Sequence, residues 1–378
     1  MKTNFGIPKE LKEGETRVAL TPDSVGMLTD EGLSVAIEAG AGDLAGFDDE
    51  QYEKAGAKIV STPDELWANS NVIVKVKEPQ KCEFKHFRED LVIFSYLHLA
   101  VEEELTRELL KKKICAVATE AVQTPGGELP LLRPMSEVAG RMSVQLGARF
   151  LEKQNGGRGL LLGGVPGVAP AKVVILGGGV AGSNAAQAAL GMGADVSVLD
   201  INSKRLSSLD MFFGGQIKTY YSNPSTIASR VSEADLLITA VLIPSTRAPK
   251  LVSADMVKTM KKGSVIIDIA IDQGGNVETI DRVTSLDNPV FEKYGVLHCA
   301  VPNIPSFVPK TASYAYSYAI LPYLREIGEK GTFVALKEDD SLSCGVSTFR
   351  GAITNEALAL SLGEEHTEIS LLIGFKVK

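Results

Sequence analysis

The chain has 378 residues, 44% hydrophobic and 23% charged, with 36 glycines; this exceeds one typical domain and excludes a disordered or collagen-like chain, which points to a two-domain α/β protein. Its 47 acidic and 39 basic residues give a net charge of -8, which disfavours phosphate polymers and argues against a nucleic-acid partner.

The N-terminus becomes charged at Lys9 and Glu10, too soon for the apolar core of a secretory signal, and no run approaches the roughly 20 apolar residues of a membrane span. Short apolar runs then alternate with amphipathic stretches: Val35–Ile37, Val72–Val76, Leu91–Phe94 and Ile114–Val117 read as strands, and the segments between them as crossover helices. This first α/β domain closes near Gly126-Gly127-Glu128-Leu129-Pro130. Pro134 then opens a long helix, 134–153, with Val138, Met142, Leu146 and Phe150 on one face. A glycine-rich loop from Gly156 to Gly167 delivers the chain to Val173–Leu176, an apolar run with the pattern of a strand buried on both faces. Runs of the same kind recur at 196–199, 236–241, 265–269 and 296–301 and predict a doubly wound parallel sheet. After Pro309 a second long helix is expected over 311–329. Two long connections, one entering and one leaving, predict that this domain (131–308) is inserted into the first (1–130 and 309–378). Cys82, Cys115, Cys299 and Cys344 stand singly, and are read as reduced, mostly buried thiols of a cytoplasmic protein. No metal-ligand spacing is visible.

The most informative segment is Gly177-Gly178-Gly179-Val180-Ala181-Gly182, a GxGxxG pattern that directly follows a predicted strand and opens an Ala-rich helix. Gly177 permits the tight turn, Gly179 clears the approach of a pyrophosphate, and Gly182 lets helix and strand pack closely. Free N–H groups at the helix N-terminus receive phosphates. Asp200 ends the next strand, where a carboxylate accepts ribose hydroxyls and repels a 2′-phosphate; the expected cofactor is NAD, in a Rossmann domain. Arg205 reads either as a guanidinium able to accommodate that phosphate or as a solvated helix residue.

Arg17, Lys77 with Glu78, His98 and Asp272 lie in loops or at the ends of predicted strands, the edge of an open α/β sheet that faces the ligand crevice. Their other readings are a surface ion pair for Arg17 and Lys77, a hydrogen-bonded core histidine for His98, and a helix cap for Asp272. The segments Gly6–Glu10, Arg17–Pro22, Lys75–Pro79, Leu97–Ala100, Pro134–Arg141 and Asp268–Gly275 resemble the alanine dehydrogenase and transhydrogenase α-subunit family over nearly the whole chain, with no match to the tail from Leu362.

The resemblance implies reversible oxidative deamination of L-alanine to pyruvate and ammonium by a homohexamer using NAD. It implies that Arg17 holds the substrate carboxylate, that Lys77 bonds substrate near its reacting carbon, that His98 is the acid/base, and that Asp272 lies by the nicotinamide and helps bind or activate water and ammonia. On the cofactor side it implies Ser136, Gly177, Gly178, Gly179, Val180, Ala181, Gly182, Asp200, Arg205, Ser222, Leu242, Ile269, Asp272, Val301 and Asn303. The alternatives within reach of the same residues are a related amino- or imino-acid dehydrogenase and a transhydrogenase-type nucleotide subunit.

Overall fold

The computed structural model describes residues 3–89, 91–242 and 248–374, and these divide into two compact units. One comprises the chain up to Met135 and from Val308 onward; the other is Ser136–Phe307. The division falls in the first turn of the helix Arg133–Leu151 and again just before the helix Pro309–Lys330. Both long helices lie within two residues of their expected bounds, because each has a proline in its first turn to set the start.

Fifteen strands occur in chain order among the described residues. The first unit begins with β1 (Asn4–Ile7), β2 (Ser34–Glu38), β3 (Lys58–Val60), β4 (Val72–Val74), β5 (Val92–Ser95) and β6 (Cys115–Ala118). The second contains β7 (Lys172–Leu176), β8 (Asp195–Asp200), β9 (Lys218–Tyr221), β10 (Leu236–Thr239), β11 (Val265–Asp268), β12 (Val290–Lys293) and β13 (Val296–Cys299). β14 (Val346–Phe349) and β15 (Ala352–Ile353) follow the insertion. β14 pairs antiparallel with β6, so the chain returns to the first sheet after its excursion.

Both sheets are doubly wound. The first has the order β15-β14-β6-β5-β4-β1-β2-β3 and the second β12-β13-β11-β10-β7-β8-β9. Strand order reverses between β1 and β4 in one and between β7 and β10 in the other, and such switch points open a ligand crevice at the carboxyl ends of the strands. In the second sheet Val173, Ile175, Leu236, Ile238, Val265 and Ile267 pack into one core, while the alternating Val174, Leu176, Leu237 and Ile266 pack into another. That alternation is why these strands read as unbroken apolar runs: both faces are covered.

Three local readings are corrected. Asp272 does not end a strand: β11 stops at Asp268, whose side chain caps a 3-10 turn, Ile269–Gln273, that carries Asp272 on its exposed side. The strand expected to reach Val76 is named only to Val74, although Lys75 and Val76 still bond the backbone next to β5, with Lys75 N–H donating to Phe94 O and Val76 O accepting from Tyr96. Of the four thiols only Cys115 and Cys299 are buried; Cys82 and Cys344 are exposed.

Candidate functional site

In the first unit every candidate side chain leaves the carboxyl end of a parallel strand: Arg17 from the loop after β1, Lys77 after β4, and His98 after β5. Arg17 is buried, and its partner is Glu15. Nε donates to Oε1 at 2.7 Å and Nη2 to Oε2 at 2.6 Å, while Nη1 points to the Met135 sulfur at 3.0 Å. Glu15 thereby fixes two of the five guanidinium N–H groups on one edge and Met135 takes a third, which orients the plane and leaves one N–H on Nη1 and one on Nη2 for a second planar anion. Burial alone would raise the Glu15 carboxyl; Arg17, by charge and hydrogen bonds, overrides it and brings the group down to about 2.

Lys77 and His98 meet, with Nζ 3.2 Å from Nε2. An ammonium has no lone pair to offer, so Nε2 is the acceptor and the ring proton of the neutral imidazole belongs on Nδ1. The surroundings enforce that neutral form. Enclosure, then the charges of Lys77, Lys12 and Arg17, push His98 down to about 3.

Beneath these groups lies a buried charge layer that sequence reading misses. Lys75 has no exposed surface and sits 3.3 Å from Glu10 and 3.1 Å from Glu83. Glu10 accepts the Val76 N–H at 2.6 Å and the Lys77 N–H at 3.4 Å, so it holds the backbone that presents Lys77. Burial raises Glu10 to about 7 against the pull of Lys75, helped by the nearby Glu15. Lys12 closes the layer with an ion pair to Glu78. A signal was present in Val74-Lys75-Val76: a lysine inside an apolar run, once buried, requires carboxylate partners.

In the second unit the glycine turn joins β7 to the helix Val180–Gly191. Gly177 has φ +97°, and a Cβ on Gly182 would lie 1.8 Å from the Gly177 carbonyl oxygen, so neither position admits a side chain. A Cβ on Gly179 would meet nothing nearer than Arg205 Nη1 at 3.8 Å. The turn is therefore open on the side a pyrophosphate would approach, and a glycine at the N-cap leaves the first helical N–H groups uncapped by any side chain. Asp200, at the end of β8, accepts from Gly178 N and Asn202 N, both at 2.8 Å, and each oxygen keeps a lone pair for a ribose hydroxyl. Arg205 is half-exposed with Nη1 3.7 Å from Asp200.

The remaining cofactor candidates share that edge of the sheet. Ser222 follows β9 and donates its N–H to Asp200 O; Leu242 follows β10; Ile269 and Asp272 follow β11; Val301 and Asn303 follow β13. Asn303 has φ 63°, and its side-chain amide donates to Ser306 Oγ at 2.5 Å. Ser136, half-buried, lies in the first turn of the helix Arg133–Leu151. His298 behaves as a core residue, bonded to Thr279 at 2.7 Å and stacked on Phe291. No metal-binding cluster and no helix long and apolar enough to cross a membrane occurs among the described residues.

Comparison with known proteins places this geometry. Residues 6–139 match the sequence model for the N-terminal domain of "Alanine dehydrogenase/PNT", and residues 143–356 match that for its C-terminal domain. The chain is 54% identical over 355 residues to the alanine dehydrogenase of Methanococcus maripaludis, covering 94% of this chain and 95% of that protein. It is 53% identical over 362 residues to that of Bacillus subtilis, covering 96% and 95%. A solved L-alanine dehydrogenase superposes with a TM-score of 0.91 at 48% identity, covering 96% of this chain and 99% of that one. A transhydrogenase from Sinorhizobium meliloti superposes at 0.77 with 27% identity, covering 94% and 100%.

Proposed function

The chain belongs to the alanine dehydrogenase/PNT family, and from that premise we propose that it is an NAD-dependent L-alanine dehydrogenase, interconverting L-alanine with pyruvate and ammonia. The observation that carries the reading is the cluster Glu15–Arg17, Lys77 and His98 at one switch point, a set of groups suited to a small anion that must exchange protons. We assign the substrate domain to 1–130 and 309–378 and the NAD domain to 131–308. A cytoplasmic homohexamer fits the family and the exposed apolar side chains of the second unit, among them Leu161, Val165, Val168, Met211 and Phe212.

Arg17 takes the substrate carboxylate on the guanidinium edge that Glu15 leaves free, which fixes the plane of the substrate. Lys77 bonds the substrate next to its reacting carbon. Gly177–Gly182, Asp200, Ser222, Leu242, Ile269, Asp272, Val301 and Asn303, with Ser136 and Arg205, would hold NAD, which would supply hydride acceptance from Cα and its reversal. The other steps, water addition and C–N cleavage, each require proton transfers. His98 Nε2 takes the proton of the water that adds to the substrate iminium, returns it to nitrogen, and takes the hydroxyl proton as the C–N bond breaks and the carbonyl forms. Asp272 helps to bind or activate water and ammonia. The substrate's negative charge offsets the cations that hold His98 down, so occupation of the site raises the imidazole toward the range where it can both give and take protons. The carboxylate of Asp200 favours NAD, because desolvating it beside a 2′-phosphate would be unfavourable.

The test is to compare L-alanine with L-alaninamide, which keeps the reacting carbon and amine but lacks the carboxylate. The amide should be a very poor substrate. Turnover of the amide at a rate near that of alanine would remove Arg17 from the site.

A further inference from the structure

His98 is one of five non-glycine residues at positive φ among the described residues, at 48°. A backbone held there is strained, and it persists only where its surroundings over-determine it. One side chain does so here. Glu120, in the turn after β6, accepts the Leu97 N–H at both oxygens, 3.1 and 3.2 Å, and the His98 N–H at 2.7 Å. Its Oε1 also lies 3.9 Å from His98 Nδ1, the nitrogen that carries the ring proton when Nε2 accepts from Lys77.

We propose that Glu120 is the positioning residue of the reaction: one carboxylate that locks the turn under His98, selects its Nδ1–H tautomer and stabilises the imidazolium formed in turnover. The proposal rests on the reading of His98 as acid/base. As water adds to the substrate iminium, an O–H bond breaks, a C–O bond forms, and the proton passes to Nε2. The ring then carries N–H on both nitrogens and a positive charge, with Nδ1 3.9 Å from Glu120 Oε1. Return of the Nε2 proton to the substrate nitrogen restores the neutral ring. As the C–N bond then breaks, the electrons of the hydroxyl O–H bond form the C=O bond, the hydroxyl proton passes to Nε2, and the released ammonia carries that proton away as ammonium. The other charged groups that face His98 are the cations Lys77, Lys12 and Arg17; Glu120 faces the cation Lys77 and the neutral phenols of Tyr96 and Tyr316. With three cations opposing an imidazolium, a carboxylate on the Nδ1 side makes protonation attainable.

The experiment measures L-alanine-dependent NAD reduction against pH for wild type, Glu120→Gln and His98→Ala. Glutamine keeps an oxygen that accepts the Leu97 and His98 N–H groups and removes only the charge. Glu120→Gln is expected to fold, to keep its KM values, to lose roughly 10- to 100-fold in kcat, and to move the acid limb of the profile down by about one pH unit. A wild-type profile in Glu120→Gln, or a lower kcat with an unshifted limb, would overturn the proposal. An active His98→Ala would instead overturn the assignment of His98 itself, which keeps the two failures apart. Should Glu120→Gln not fold, nitrogen NMR of the wild-type imidazole decides: a proton on Nδ1 is expected, and one on Nε2 alone would overturn the proposal.

Discussion

Glu10 and Lys75 show what a single buried charge does to the behaviour of the chain. In the fold the Glu10 carboxyl holds its proton up to about 7, against 4.5 for an ordinary glutamate, chiefly because it is buried. Between those values the folded state binds more protons than the unfolded one, so the contribution of Glu10 to stability is full below 4.5 and is lost as pH rises toward 7. Glu10→Gln removes that titration. Urea unfolding at a series of pH values should therefore show the variant gaining on wild type from pH 4.5 to about 7; a trend in the opposite direction would contradict the assignment. Asp200 offers a second test at this scale: Asp200→Ala should weaken NAD binding and narrow the gap to NADP in kcat/KM. Equal use of both cofactors by the wild type would contradict the assignment. Lys77 and His98 were legible as candidates because each follows an apolar run, and Arg17 because it follows the turn-like Glu13-Gly14-Glu15. Glu10, Glu15 and Glu120 were not, since they act through backbone N–H groups and ion pairs that only the folded chain brings within reach.

Strands and helices were legible in proportion to their burial. The strands covered on both faces, such as β7 and β10, declare themselves as apolar runs. β3 has three residues and β9 is partly exposed along its length, so neither carries a period-2 or all-apolar signal, and β15 has only two residues. The loop that carries Asp272 was misplaced because its turn is built by Asp268, which accepts from Ala270, Asn276 and Val277 backbone N–H groups and ends the strand early. Helix packing sets a further prediction. A Cβ on Gly140, in the helix Arg133–Leu151, would lie 2.1 Å from the carbonyl oxygen of Ala181, in the first turn of the helix that follows the glycine loop. Gly140→Ala must push that turn aside, with overpacking of about 1–3 kcal/mol, and should weaken NADH binding in a fluorescence titration. Gly191→Ala, where a Cβ meets nothing within 4 Å, should bind as wild type. Equal binding by both variants would show that the turn does not need its present position.

At the scale of the molecule, the insertion of one doubly wound sheet into the chain of another was readable from two long helical connections, and β14 beside β6 is its structural counterpart. Assembly was less readable, because the sequence does not say which apolar side chains remain exposed. Leu161, Val165, Val168, Met211 and Phe212 do so on the second unit, and light scattering should give about six chain masses; a monomer would contradict the proposed hexamer. The central claim is tested most directly by absorbance at the NADH band. Purified protein given NADH, pyruvate and ammonium together should consume NADH, with neither pyruvate nor ammonium sufficient alone, and L-alanine with NAD should restore the signal. NADH consumption that is indifferent to ammonium, or no consumption with all three present, would contradict it.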